Sequence, residues 1–144
     1  MGEDSLQLPG WRGWIGRGAE AFAQARYSEA VSAFQKAAEL SPGSATPHLY
    51  LALGWMQQHI PGADSAENAE YARRAEAELR RALDLDPASR IAAVLLAQFC
   101  GNEERLEESR EWYRMAKAAD PANADICCAL GAVTWRQWLG EGRA

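Results

Sequence analysis

Hydrophobic residues recur along the chain at the three-and-four-residue spacing of amphipathic helices, separated by short polar breaks. Three of the helical segments end on similar sequences, AAELSP at Pro42, ALDLDP at Pro87 and MAKAADP at Pro121. Proline stops a helix because its ring blocks the preceding turn. The pattern therefore predicts an all-α protein of about seven helices, near residues 11–25, 28–40, 45–59, 65–85, 89–101, 105–119 and 123–139.

The spacing of these endings is regular. Pro87 and Pro121 are 34 residues apart, and both copies run in the same order: apolar helix, short turn, amphipathic helix, Asp-Pro. A fixed period of this length predicts a repeat architecture in which each helical pair stacks on the next. A second set of positions agrees with this period, because small residues fall inside the first helix of each pair, at Gly18, Gly54, Ala97 and Gly131.

The second helical pair is longer than the first. Gly54 and Ala82 are 28 residues apart, whereas Gly18 and Ala37 are separated by 19, so about nine extra residues lie in the segment HIPGADSAENAEY. Either the turn is longer there or one helix gains turns. Polar residues that commonly cap helix N-termini precede four of the helices, and we expect caps at Ser44, at Asp64 or Ser65, at Ser89 and at Asn123.

Particular residue types also return at matching places in each unit. The first unit has Trp14, Gly18, Tyr27, Ala30, Phe34, Ala37 and Pro42. The second has Tyr50, Leu53, Gly54, Ala75, Leu79, Ala82 and Pro87. The third has Leu96, Ala97, Leu106, Ser109, Tyr113, Ala116 and Pro121, and a fourth begins with Ala124, Leu130 and Gly131.

This set of positions resembles the tetratricopeptide repeat, a helix-turn-helix unit of 34 residues. Ser109 departs from the pattern, which usually has alanine there. The resemblance covers about residues 11–139 and implies a right-handed α-solenoid. It divides the chain into a tail over 1–10 and one domain over 11–144. The repeats fall near 11–44, 45–89 and 90–123, and a final unpaired helix lies near 123–139.

Composition and charge narrow the possible partners. The chain is 48% hydrophobic and 24% charged with a net charge of −5, which is typical of a folded globular protein. Basic residues are scattered among acidic ones, so we expect no nucleic acid partner. The longest apolar run, near 91–99, is about half of what a membrane helix needs. The N-terminus lacks a signal-peptide pattern, so we expect a cytoplasmic protein, with an already removed signal sequence as the open alternative.

The sequence shows no catalytic or metal-binding motif. It lacks a glycine-rich phosphate loop, Cys-x-x-Cys and His-Glu-x-x-His. His48 and His59 are expected to share one helix face about 16 Å apart, too far for a single metal ion. Cys100 and the neighbours Cys127 and Cys128 are expected to be reduced structural thiols. We therefore predict no enzymatic activity and no cofactor.

The resemblance implies that the first helix of each pair lines a concave groove that holds a peptide. Carried over position by position, it names these groove residues: Arg12, Ile15, Phe22, His48, Leu51, Trp55, Gln58, His59, Val94, Gln98, Trp135 and Arg136. Some relatives grip a terminal carboxylate with Lys, Asn and Arg, but those places here hold Ile15, Ala19, Ala52, Ile91 and Leu95. The groove is therefore expected to be apolar, with Trp55 as its main contact because it is least needed for packing. The alternative is that curvature brings these side chains together as core.

The last helix carries an unusual set of apolar side chains, Val133, Trp135, Trp138 and Leu139. Terminal helices of a repeat stack normally present a polar outer side. Three explanations stay open: the chain stops before a pairing helix, the end self-associates, or it folds back into the groove. The predicted function is a protein-interaction scaffold or adaptor. The alternatives are a self-association module, or a regulatory part of a larger enzyme or secretion-chaperone system.

Overall fold

The computed structural model describes residues 10–142, which form helices and turns without a strand. The predicted all-α class is confirmed, and each helix boundary lies within two residues of its predicted place. The predicted tail over 1–10 lies almost wholly outside the described residues. The helices are α1 (Trp11–Ala23), α2 (Tyr27–Leu40), α3 (Ala45–Gln58), α4 (Ala66–Leu85), α5 (Arg90–Asn102), α6 (Leu106–Ala119) and α7 (Ala124–Gly140).

The helices stack in the order of the chain. Each packs mainly against the helix before it and the helix after it, and the closest pairs are α1 with α2, α3 with α4, and α5 with α6. α7 packs on α6. This sequential packing is the arrangement of a helical repeat protein, in which each unit buries the face that its neighbour leaves open.

Clusters of buried side chains join each pair to the next helix. They contain alanines with a few large residues, because small side chains let helix axes approach while large ones fill the remaining space. The first cluster is Ala21, Ala30, Val31, Phe34 and Leu51. The second is Ala52, Leu79, Ala82, Leu83, Ala92 and Leu96. The third is Ala97, Tyr113 and Val133.

Aromatic residues fill the space between the first and second pairs. The rings of Phe34 on α2 and Tyr50 on α3 lie 5.2 Å apart. Val133 was expected on an exposed face of α7 but is buried against Ala97 and Tyr113. That expectation is wrong because Val133 points back toward the α5–α6 pair, where it completes the last cluster.

Side chains cap three of the helices as predicted. Ser65, Ser89 and Asn123 each accept a hydrogen bond from the backbone N–H three residues later, at 3.1 Å in each case. Ser44 does not cap α3, and that prediction is wrong. Its hydroxyl oxygen lies 2.7 Å from the Ser41 hydroxyl instead, so the two side chains satisfy each other.

The turns inside the first and third pairs share one conformation. Ala25, after α1, and Glu104, after α5, both have φ of 61°, a region that costs a residue with a Cβ about 1–2 kcal/mol. The following N–H groups, of Arg26 and Arg105, donate to carbonyl oxygens five residues earlier at 2.9 and 2.8 Å. The same local geometry therefore recurs in both units.

The insertion in the second pair is resolved as a combination of both alternatives. α4 has 20 residues, whereas α2 and α6 have 14 each, and residues 59–65 form a loop before it. Asn68 anchors this loop from the first turn of α4. Its amide side chain accepts from the N–H of Ile60 at 2.7 Å and donates to the carbonyls of Ile60 and Ala63 at 2.8 and 3.1 Å.

Candidate binding face

The helices α1, α3, α5 and α7 lie side by side along one flank of the stack. α1 contacts α3 directly, and Val94 on α5 packs with buried residues of α7, Ile126 and Val133. Their solvent-facing side chains form the surface on which the sequence places a groove. We call this surface the odd-helix face.

On α1 and α5 the predicted residues do reach the odd-helix face. Arg12 on α1 and Gln98 on α5 are exposed. Ile15 and Phe22 are half-buried, because each also packs against the core cluster between α1 and α2. Val94 and Leu95 are half-buried in the same way on α5.

Ile91 is the most exposed large apolar side chain on α5, with 54% of its surface accessible. More than half of its surface stays in contact with solvent after folding, so it is available to contact a partner.

On α3 the predicted groove residues point elsewhere. Leu51 is 3% exposed and Ala52 is fully buried, so both belong to the core. His48 Nδ1 lies 2.6 Å from Glu78 Oε2 on α4. Placing these three residues in the groove is therefore wrong, because they pack between α3 and its neighbours.

Trp55 also has a packing role, contrary to the expectation. Its ring stacks on Tyr71 of α4, with centroids 5.8 Å apart and planes 26° apart. The guanidinium of Arg74 lies 5.0 Å from the Trp55 ring centroid. Trp55 is thus held against the long helix α4 and is half-buried.

His59 lies beyond the end of α3 and does not share that helix with His48. It is the C-cap residue, with ψ of 133°, and its side chain is 6% exposed. Its Nε2 lies 3.0 Å from Glu103 Oε1, and its ring is 5.8 Å from Phe99. His59 therefore fastens the end of α3 to the end of α5. Gln58 is similarly engaged, since its side-chain nitrogen donates to the Gly54 carbonyl at 3.3 Å.

The error on α3 is a shift of two residues. A Cβ added at Gly54 would meet Val31 of α2 at 2.7 Å, so Gly54 faces the preceding pair. Ala52 is the small residue that packs against Leu79 and Ala82 of α4. With the pattern moved back accordingly, α3 presents the exposed Thr46 and Gln57 and the half-buried Leu53, which sequence reasoning did not select for the groove.

On α7 the predicted positions are exposed. Trp135 has 58% of its surface accessible, and Asp125, Cys128 and Ala132 are exposed on the same helix. Arg136 reaches the edge of the α5–α6 turn, where it donates to Glu104 Oε1 at 2.9 Å and to the Gly101 carbonyl at 3.4 Å.

The odd-helix face is mainly apolar and amide in character. Its exposed charges on the described residues of α1 and α7 include Arg12 and Asp125. The places where a carboxylate-gripping relative would present amines, amides or guanidiniums hold Ile15, Ala19, Ile91 and Leu95. Within residues 10–142, no group of three or more His, Cys, Asp or Glu is placed to hold a metal ion.

Hydrogen bonds shift the pKa values of Glu70 and Tyr71, two neighbouring residues on α4. Hydrogen bonds from Arg74, at 2.6 Å, and from Arg73 lower the pKa of the Glu70 carboxyl. A 2.7 Å hydrogen bond to Glu67 raises the pKa of the Tyr71 hydroxyl, because ionising that donor would lose the bond. These groups support the α4 surface under Trp55.

Residues 11–44, which comprise α1, α2 and the turn after them, match the family model for the tetratricopeptide repeat. Residues 11–44 therefore form one tetratricopeptide repeat. None of the helices within residues 10–142 is long and apolar enough to cross a bilayer. No curated protein matches the sequence.

Three solved structures of tetratricopeptide-repeat (TPR) domains have the same fold as this chain. The first TPR of Spaghetti (RPAP3) bound to HSP90 peptide SRMEEVD matches with a TM-score of 0.75 at 16% identity, over 88% of this chain and 92% of that chain. The Arabidopsis OM64 TPR domain matches at 0.74 and 17%, over 88% and 95%. The Sgt2 TPR domain from Aspergillus fumigatus matches at 0.77 and 16%, over 95% and 84%. At these identities the likeness establishes the fold.

Proposed function

We propose that this TPR domain is a protein-interaction module that holds a polypeptide segment against the odd-helix face, without a catalytic step. The observation that carries the proposal is the exposure of Ile91 at 54%, in the first turn of the third of the four helices that form the face. Burying such a side chain contributes about 1.5–3 kcal/mol, part of which offsets the ordering of the bound segment. The Spaghetti domain, which has the same fold, binds a peptide of HSP90.

The segment that fits this face differs from the peptide bound by that neighbour. SRMEEVD is acidic and ends in a carboxylate, whereas Ile15, Ala19 and Leu95 offer it no positive charge. Apolar anchors match Ile91 and Leu53, while Gln98 can hydrogen-bond a peptide backbone. We therefore propose a partner segment with spaced hydrophobic side chains, either extended or as an amphipathic helix.

The two alternative functions predicted from the sequence would use different surfaces. A regulatory domain of a larger protein would use the same surface, so the experiment below applies to it equally. Self-association through the C-terminal helix would use Trp135, Trp138 and Leu139, of which Trp135 also borders the odd-helix face.

Peptides selected from a random display library against the domain would test the proposal. We expect enrichment of sequences with spaced apolar residues, and Ile91→Glu should weaken their binding by at least about tenfold. Leu40→Glu is the matched control, because Leu40 is 55% exposed but lies at the end of α2. Equal loss in both variants, or no loss in Ile91→Glu, would show that peptides bind elsewhere.

A further inference from the structure

The free side of α7 carries a shallow apolar cleft. Gly131, Thr134, Trp135 and Trp138 line this cleft of about 440 Å³. None of the four side chains carries a charge. We call this surface the α7 cleft.

Gly131 is open where equivalent small residues are covered. A Cβ added at Gly18 would lie 2.3 Å from the Phe34 ring, and Ala52 and Ala97, at the matching places of α3 and α5, are fully buried. A Cβ at Gly131 would meet nothing within 4 Å. In the rest of the stack, therefore, a neighbouring helix covers this small residue, whereas the space beside Gly131 is unfilled.

The α7 cleft also presents large side chains that could fill such a space. The rings of Trp135 and Trp138 stack with centroids 5.0 Å apart and planes 20° apart. Trp135 is 58% exposed, and Leu139 beside it is 42% exposed. Gly131 and Trp138 are seven residues apart, which is two helical turns or about 10.5 Å, so they share one face.

We propose that two copies of this chain pair through α7 in an antiparallel, two-fold arrangement. A pair centred between Thr134 and Trp135 places Trp138 of each copy opposite Gly131 of the other. A two-fold interface requires a surface that complements itself, and this cleft offers both the open glycine and the large ring. The pairing continues the stack, because α7 gains on its free side the helix that α1, α3 and α5 already have.

A second copy fits the α7 cleft better than a charged partner. The cleft has no charge with which to select a complementary helix, and burying uncharged side chains avoids the desolvation cost of ions. One helix pair buries less surface than the about 1,200 Å² of a standard stable interface. We therefore expect weak pairing that becomes visible at high micromolar concentration.

Sedimentation equilibrium across a concentration series tests the proposal. The wild-type chain should form a dimer, and Gly131→Lys should raise its dissociation constant by at least about tenfold. Gly16→Lys is the matched control, since Gly16 also lies within a helix with nothing within 4 Å of an added Cβ. Circular dichroism checks that both variants are folded.

Disulfide trapping tests the geometry independently. In a Cys127→Ser, Cys128→Ser background, Thr134→Cys should cross-link two copies rapidly, because the two-fold axis brings the pair of residues together. Thr46→Cys, on the exposed side of α3, should not. A monomer at all concentrations, a dimer that Gly131→Lys leaves unchanged, or equal cross-linking at both positions would overturn the proposal. Gly131→Lys should still bind the selected peptides, so failure here is distinct from failure of the odd-helix face.

Discussion

The ring of Phe34 occupies the space that any side chain at Gly18 would need. An added Cβ there would lie 2.3 Å from Phe34 Cε1, closer than real atoms approach. Gly16, two residues earlier on the same helix, has nothing within 4 Å. Gly18 therefore allows the close approach of α1 and α2, whereas Gly16 has no packing role and only lowers the helix propensity of α1.

Replacing each of these glycines by alanine should have opposite effects. Gly18→Ala should lower the free energy of unfolding by about 1–3 kcal/mol, because Phe34 must shift within a packed cluster. Gly16→Ala should raise it by up to about 1 kcal/mol through helix propensity. Urea unfolding followed by circular dichroism measures both, and equal effects of the two variants would contradict the role of Gly18.

Asn68 should hold the loop of the second repeat in place. Asn68→Ala removes three hydrogen bonds and leaves the N–H of Ile60 and two carbonyls without them, so the free energy of unfolding should fall by about 2–3 kcal/mol. Asn102→Ala, at the exposed end of α5, is the control and should change it by less than about 0.5 kcal/mol. Similar values for both variants would mean that the loop holds without Asn68.

The acidic peptide SRMEEVD should not bind this chain. The odd-helix face has Ile15, Ala19, Ile91 and Leu95 where a carboxylate would need positive or amide groups, so desolvating the peptide carboxylates is uncompensated. Isothermal titration should show no heat of binding up to about millimolar peptide. Tight binding that disappears in Arg12→Ala would instead assign the carboxylates to the exposed guanidinium of α1.

The thiols should differ in reactivity. Cys100 is fully buried, and burial raises the pKa of its thiol, whereas Cys128 is exposed. A thiol reagent should label Cys128 at once and Cys100 at least about a hundredfold more slowly, through opening of the fold. Mass spectrometry of the labelled chain identifies each site. Prompt labelling of Cys100 would contradict its burial.

The raised pKa of the Cys100 thiol should also make the stability of the fold depend on pH. Since the folded thiol of Cys100 has the higher pKa, its contribution is present below the unfolded value of about 8.5 and is lost as pH rises through the folded one. The free energy of unfolding should therefore decline above about pH 8.5. The decline between there and the range of tyrosine ionisation should be shallower in Cys100→Ala, measured by urea unfolding at each pH. Identical slopes would exclude the contribution of this thiol.

The helix boundaries can be predicted from the sequence, because they depend on residues that are neighbours in the chain. Helices α2, α4 and α6 end at Leu40, Leu85 and Ala119, two residues before a proline in each case. Proline acts on its own neighbours by steric exclusion, so its effect can be read without the rest of the structure. The caps at Ser89 and Asn123 are equally local.

Neighbouring residues did not suffice to predict which side of α3 faces α2, which faces α4 and which faces solvent. Ala52 and Gly54 are both small and both buried, but one faces α4 and the other faces α2. A small residue indicates close approach without indicating which neighbour approaches. The insertion before α4 removed the fixed period that would have distinguished them, and the groove residues on α3 were misplaced by two as a result.

Contacts between polar groups far apart in the chain could not be predicted from the sequence pattern either. His59 and Glu103 lie 3.0 Å apart although 44 residues separate them. Neither residue stands in a motif that names the other, because such pairing depends on how the ends of α3 and α5 come together. Ser109, noted only as a departure from alanine, similarly donates to the Ala97 carbonyl at 2.6 Å.

The chain-order packing of the helices has a consequence for how the molecule comes apart. Most contacts are made between segments close in sequence, a topology that folds fast because little loop entropy is lost before contacts form. α7 rests chiefly on α6, so its amides should exchange with solvent sooner than those of α5, which is covered from both sides. Unfolding should therefore begin at an end of the stack and proceed inward. For the same reason, evolution can add or remove one helical hairpin at a time.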